Sequence, residues 1–121
     1  MDVNFFDTYA LIEVLKGNSQ YEPYRDQPIV TTLLNLGELY YYLLKNGYSE
    51  TLKIMKRFSK QLILLDESVV YSAMEFKYEN RGKNLSMVDC IGYIAALKAK
   101  MPFLTGDKEF ENLPGVEFVK K

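Results

Sequence analysis

Short runs of β-forming residues alternate with amphipathic helix patterns along the chain, and this alternation restricts the fold more than any other feature. The runs occupy residues 3–6, 29–31, 61–65, 102–105 and 116–119, and Leu62-Ile63-Leu64-Leu65 in the third reads as a buried strand. Between them, apolar residues recur at helical spacing over residues 8–16, 32–46, 49–60, 67–81 and 86–101. In the first of these stretches Ala10, Leu11, Val14 and Leu15 share a face, and Gly17 stands where a C-terminal cap belongs. In the second, Leu33, Leu36, Tyr40, Leu43 and Leu44 fall on one side, and Gly47 stops the pattern. Residues 18–28 carry two prolines and read as loop or broken helix, and a short helical stretch follows Gly106-Asp107 as far as Leu113. Strands separated by helices need crossover connections. The expectation is an α/β fold: a mainly parallel sheet of about four to five strands, flanked by helices on both faces. The strand ending at Phe6 is expected at its centre. In such sheets ligands bind beyond the carboxyl ends of the strands, near the point where the strand order reverses.

At 121 residues the chain suits one domain, residues 1–121, around one core. Its 48% apolar content is ordinary for a globular protein, and no apolar stretch is long enough to span a bilayer. The acidic start has none of the basic, long-apolar and cleavable character of a secretory signal, so a cytoplasmic location is expected. Cys90 is the only cysteine, which excludes an internal disulfide and fits a reducing compartment. There is no histidine at all. Ser-His-Asp and Cys-His catalysis are thereby excluded, together with nearly all zinc sites. Any chemistry must rest on carboxylates, Lys, Tyr, Ser/Thr or a metal held by oxygen. Fifteen basic residues stand against 16 acidic ones, so at a formal charge of −1 no global field draws the chain onto nucleic acid. Such binding must come from a local basic patch or through a bound cation.

Two acids lie where the strand-end rule directs attention. Asp7 directly follows the first strand, and Asp107 follows Leu104-Thr105. Glu38 lies inside the second helical stretch and Asp89 in the first turn of the last long one. Each also has a purely structural reading. Asp7 and Asp107 precede helical segments and can serve as N-caps, worth about 1 kcal/mol each. Ser86-Met87-Val88-Asp89 fits a capping box, and Glu38 can be a solvated glutamate opposite the leucine stripe. Gly92 and Ala96, one and two turns beyond Asp89, either leave room for a ligand to approach or let a neighbouring helix pack closely.

Taken together the four acids resemble a family. Phe6-Asp7-Thr8-Tyr9-Ala10-Leu11-Ile12-Glu13 is similar to the opening motif of PIN-domain nucleases, especially the VapC-type toxins. Leu36-Gly37-Glu38-Leu39, in a helix that starts at Thr31-Thr32, resembles their second motif. The segment from Arg81 through Asp89 to Ile91, then Ile94-Ala95-Ala96, resembles the third. Leu104-Thr105-Gly106-Asp107-Lys108-Glu109-Phe110 resembles the fourth, and Leu113-Pro114-Gly115-Val116 the closing turn. The chain departs at Tyr9, where many members carry Asn, and at Gly92-Tyr93, in place of an Ala-Ala-type pair. Both departures bear on substrate fit and neither removes an acid.

The resemblance implies a PIN-like three-layer sandwich and a metal-dependent endoribonuclease hydrolysing RNA phosphodiester bonds. Asp7 and Asp89 would be primary ligands, and Asp107 and Glu38 would place a second ion or its waters. Thr105 would hydrogen-bond within the cluster. Converging carboxylates repel unless a cation neutralises them, and oxygen-only ligands favour Mg²⁺ or Mn²⁺, as one or two ions. Lys45, Arg81, Lys83 and Lys108 lie near the motifs and are candidate phosphate contacts. The ten tyrosines are candidates for stacking on unpaired bases, and Tyr40-Tyr41-Tyr42 reads as core and dimer interface. The resemblance further implies a small antitoxin partner and a homodimer. The competing reading is a PIN-fold protein that binds RNA or a partner without cleaving. A receiver-type phosphorylation domain is disfavoured, because Phe6 and Thr8 flank Asp7 where that site needs an acid pair.

Overall fold

Phe5 and Phe6, adjacent on the first strand, are both fully buried but belong to different cores. Alternate residues of a strand face opposite sides, so a strand apolar at consecutive positions must be covered twice. Phe103 and Leu104 repeat the pattern on the neighbouring strand. A computed structural model, describing residues 3–121, shows how the covering is arranged. The strands are β1 (Asn4–Phe6), β2 (Ile29–Thr31), β3 (Gln61–Leu62), β4 (Phe103–Thr105) and β5 (Val116–Phe118). All pair in parallel, in the order β3-β2-β1-β4-β5, with β1 central as expected.

The long helices are α1 (Thr8–Leu15), α2 (Leu33–Lys45), α3 (Thr51–Phe58), α4 (Glu67–Glu79) and α5 (Met87–Lys98). On one face Phe6 and Leu104 meet Ala10, Leu11 and Val14 of α1, Leu36 and Leu39 of α2, and Phe58 of α3. On the other, Phe5 and Phe103 meet Val69 and Ala73 of α4 and Ile91, Tyr93 and Ala96 of α5. The result is the three-layer α/β sandwich the alternation predicts.

Caps set the helix ends. Thr32 accepts from the Asn35 backbone N–H to start α2, and Asp66 accepts from that of Val69 to start α4. Gly17 takes the left-handed conformation that ends α1, at φ 72°. Residues 18–28 are partly ordered as a 3₁₀ helix over Ser19–Tyr24.

Three local expectations need correction. The third strand is only two residues long and exposed, and Leu64 is 89% exposed, so this run is an edge rather than a buried strand. The buried stripe of α2 is Asn35, Leu36, Leu39 and Leu43, while Leu33 and Leu44 are 68% and 56% exposed. The reason is rotation: Asn35 turns inward to a buried polar network, and the leucines flanking the stripe turn out. Gly92 is small for packing. A Cβ there would stand 3.2 Å from Phe5 and 3.5 Å from Phe103, so α5 lies close on the sheet and no access channel opens at that turn.

Candidate active site

The strand order places β1 and β4 side by side, with the chain continuing outward to β2 on one flank and to β5 on the other. This is the switch point, and Asp7 and Thr105 lie at its carboxyl edge. Thr105 Oγ1 donates to Asp7 Oδ2 at 2.7 Å and accepts from the Asp107 backbone N–H at 3.1 Å. One threonine therefore ties together the ends of two strands. Asp7 itself is buried. Its Oδ1 is, among the described residues, the only buried side-chain oxygen or nitrogen with no hydrogen-bond partner. Burial first, and then the charge of Asp89, push the Asp7 carboxyl up to about 8. The carboxylate makes no side-chain cap bond to α1, so the capping reading of Asp7 fails.

Glu38 is not a free surface glutamate. It is half-buried, and Thr8 Oγ1 donates to its Oε1 at 2.6 Å. Thr8 in turn accepts from Asn35 Nδ2 at 3.0 Å, and Asn35 Oδ1 accepts from Thr32 Oγ1 at 2.6 Å. This polar chain, Thr32–Asn35–Thr8–Glu38, uses each donor once and locks α2 to α1. Burial raises the Glu38 carboxyl above its usual range, opposed by the Thr8 bond and reinforced by Asp89.

Asp89 keeps its capping box. It accepts from the Ser86 backbone N–H through Oδ2 at 2.8 Å, while Ser86 Oγ accepts from the Asp89 N–H at 3.1 Å. The box engages one oxygen only. Burial raises this carboxyl too, the Ser86 bonds oppose the shift, and the Asp107 charge adds to it. Asp107 caps the 3₁₀ turn Lys108–Phe110, accepting from the Glu109 N–H at 3.0 Å. The structure thus brings Asp7, Glu38, Asp89 and Asp107 to one end of the sheet, where their charges act on one another.

The candidate phosphate contacts divide. Lys108 adjoins Asp107, and Lys83 reaches the Glu109 carbonyl at 3.4 Å beside it. Arg81 is turned to Tyr78, stacked at 4.3 Å from the ring centroid and bonded to the Tyr78 carbonyl. Lys45 is exposed in the last turn of α2, two turns beyond Glu38, and bonds to none of the acids. Thr8 and Asn35 were absent from the candidate residues drawn from sequence. The available signal was position: Thr8 directly follows Asp7, and Asn35 precedes Glu38 by three residues on one helix face.

The residues fit a hard divalent cation. Every donor is an oxygen, the most buried one lacks a partner, and like charges are gathered where a cation would relieve them. Among the described residues no three side chains stand close enough to grip one ion together.

The sequence profile of the PIN domain family matches residues 5–116, a span that begins just before Asp7 and runs past Asp107. The chain belongs to the PIN domain family. Three solved structures share this PIN fold. A toxin–antitoxin complex from Klebsiella pneumoniae superposes with a TM-score of 0.79 at 19% identity, covering 95% of this chain and 96% of that one. VapC20 of Mycobacterium tuberculosis, described as a toxin that cleaves the sarcin–ricin loop, gives 0.72 at 17% identity, covering 95% and 99%. VapBC2 of Rickettsia felis, bound to a DNA fragment from its promoter, gives 0.69 at 15%, covering 97% of each chain. No curated protein sequence matches the chain significantly. Among the described residues of this PIN protein, no helix is long and apolar enough to cross a membrane.

Proposed function

We propose that this PIN protein is a Mg²⁺- or Mn²⁺-dependent endoribonuclease and the toxin of a toxin–antitoxin pair. The observation that carries the reading is the partnerless Asp7 Oδ1, buried at the switch point within reach of the charges of Asp89 and Glu38. A folded chain gains nothing structural from such an oxygen, whose burial without a partner costs about 1–3 kcal/mol or more. A cation site accounts for it. Asp7 and Asp89 would hold the ion, with Asp107 and Glu38 positioning waters or a second ion. Bound there, the ion neutralises the acids and supplies Lewis-acid activation of a phosphodiester and of water.

The protein's own groups have separate tasks. Thr105 holds Asp7 Oδ2 and so fixes where Oδ1 points. Thr8 fixes Glu38, whose raised pKa suits a group that accepts a proton from water near neutral pH. Lys108 and Lys83 stand beside Asp107, where a phosphate would approach. An antitoxin partner is supported by the fold shared with the toxin–antitoxin complex and with VapBC2. Exposed Leu64, Tyr71 and Tyr78 offer apolar surface for such a partner or for a homodimer. The reading places the protein in the cytoplasm, the compartment that holds its RNA.

The test is cleavage of an end-labelled RNA by purified protein with Mg²⁺, with Mn²⁺ and with EDTA. Metal-restored cleavage that is lost in Asp7→Asn is the expected result. RNA binding with no cleavage under either ion would replace the reading with that of a non-cleaving binding protein.

A further inference from the structure

Beside the acids, on the same carboxyl edge of the sheet, lies a cavity of about 420 Å³ between the start of α1 and the end of β5. We propose that it binds one nucleotide of a single-stranded RNA, next to the phosphate to be cleaved. The inference rests on the ribonuclease reading only for where the scissile phosphate sits.

The lining has the chemistry a nucleotide needs. Tyr9 and Phe118 present aromatic rings and are partly buried, so their positions are set before a ligand arrives. Lys108, Lys120 and Lys121 surround them, exposed, and none forms an ion pair with a described residue. Aromatic faces with neighbouring cations are how single strands are held: the base stacks and the ammonium groups meet the phosphates. The volume lies within the roughly 300–1,000 Å³ of small-ligand sites. Glu111 also borders the cavity, and Asp107 is shared with the acidic cluster, which joins the two sites directly. A chain of net charge −1 needs a local basic patch to grip RNA, and three lysines here supply one.

The cavity is built, not incidental. Val119 is anchored by its N–H to the Thr105 carbonyl at 2.9 Å and by its carbonyl to the Tyr21 hydroxyl at 2.6 Å. The lysines that follow therefore leave from a fixed point. Gly106 forms the floor. A Cβ there would collide with the Tyr9 ring and come within 2.5 Å of the Val119 carbonyl oxygen, so only glycine lets these elements close together. Tyr9 stands where many relatives were expected to carry Asn, which makes this wall a feature of the present chain. Other cavities lack the combination. The one along α4 is bordered by Glu75 and Glu79 and no cation, and the basic one at Arg25, Arg57 and Lys60 lies at the amino ends of β2 and β3, away from the acids.

The test is binding of a fluorescein-labelled oligouridylate decamer in EDTA, read by anisotropy at several salt concentrations. The double variant Lys120→Ala/Lys121→Ala should weaken binding about five- to tenfold. It should also flatten the salt dependence by about 1.4, from roughly 0.7 per phosphate contact on a single strand. Phe118→Leu keeps the apolar volume but removes the stacking face, and should weaken binding about fivefold with the salt slope unchanged. The control, Arg57→Ala/Lys60→Ala, should change affinity less than twofold. Equal losses in the two double variants, or none in either, overturn the pocket. Lys120, Lys121, Arg57 and Lys60 are all exposed, and melting curves on the same samples verify folding. Because no metal is present, the outcome is separate from cleavage. A protein that never cleaves RNA yet shows this pattern retires the ribonuclease reading and keeps the pocket; an active enzyme without the pattern does the reverse.

Discussion

The acidic cluster has two halves that the fold treats differently. Asp89 and Asp107 are helix caps as well as candidate ligands, with carboxylate oxygens that accept backbone N–H groups at 2.8 and 3.0 Å. Asp7 and Glu38 cap nothing. They are held by side chains brought from distant parts of the chain, Thr105 and Thr8, and Asp7 keeps one buried oxygen partnerless. The cap half would be present in a protein with no activity, since it stabilises two helix starts. In the buried half, Glu38 is held by the Thr8 hydroxyl, but the partnerless Asp7 oxygen works against folding. Function is therefore best tested at Asp7, and structure best separated from function at Asp89.

The largest effect is expected at Asp7. Asp7→Asn should lower RNA cleavage on the order of a thousandfold, about 4 kcal/mol of lost charge stabilisation. The same variant should be more stable than the parent in EDTA at pH 8. The sign follows from linkage. The folded-state pKa of Asp7 is raised from 3.8 to about 8, so between those values the folded protein binds more protons than the unfolded one. Stability is then full below about pH 4 and is lost as pH rises towards 8. The raised carboxyls of Glu38 and Asp89 add in the same direction. Thermal melts of metal-free protein should show a midpoint falling by several degrees over this range, flattened in Asp7→Asn and restored by Mn²⁺. A midpoint that rises with pH, or an Asp7→Asn enzyme that still cleaves, would erase the distinction between the halves.

At Asp89 the two roles come apart. Asparagine still accepts the Ser86 N–H, so Asp89→Asn should shift the melting midpoint by no more than a degree or two. Cleavage should fall on the order of a hundredfold, with weaker apparent Mn²⁺ affinity. Unaltered cleavage at saturating metal would leave Asp89 a cap and nothing else.

These contrasts also mark what the sequence made legible. Periodicity alone placed β1 in the centre and helices on both faces, because strand and helix spacings differ and each run is bounded by turn or cap residues. It misjudged residues 61–65, where Leu62-Ile63-Leu64-Leu65 reads as core but sits at the sheet edge; local hydrophobicity does not say how many neighbours a strand has. Asp7 and Asp107 were visible through the strand-end rule, and Glu38 and Asp89 emerged only as members of an ordered motif set. The Thr32–Asn35–Thr8–Glu38 chain was not legible. It depends on the rotation of α2 against α1, which tertiary packing sets and which overrode the leucine stripe. The cavity at Tyr9 and Phe118 joins residues 109 positions apart, beyond the reach of any local pattern.

The smallest effect discriminates most finely within the buried half. Thr8→Val replaces the hydroxyl by a methyl of similar size, removing the donor to Glu38 Oε1 and the acceptor of Asn35 Nδ2. Stability should drop by about 1–3 kcal/mol, the cost of leaving a buried amide unsatisfied, and any structural role of Thr8 predicts that much. The informative readout is the pH profile of cleavage. The hydroxyl bond favours ionised Glu38, so its loss raises a carboxyl that burial has already raised. If Glu38 must be charged to work, the acid limb of the profile should move to higher pH, with cleavage near neutrality down about fivefold and recovered at pH 9. Thr8→Ser, which keeps the donor, should restore the parental limb. An equal loss at every pH would mean that Thr8 only holds α1 to α2, and Glu38 would leave the list of groups that act on the substrate.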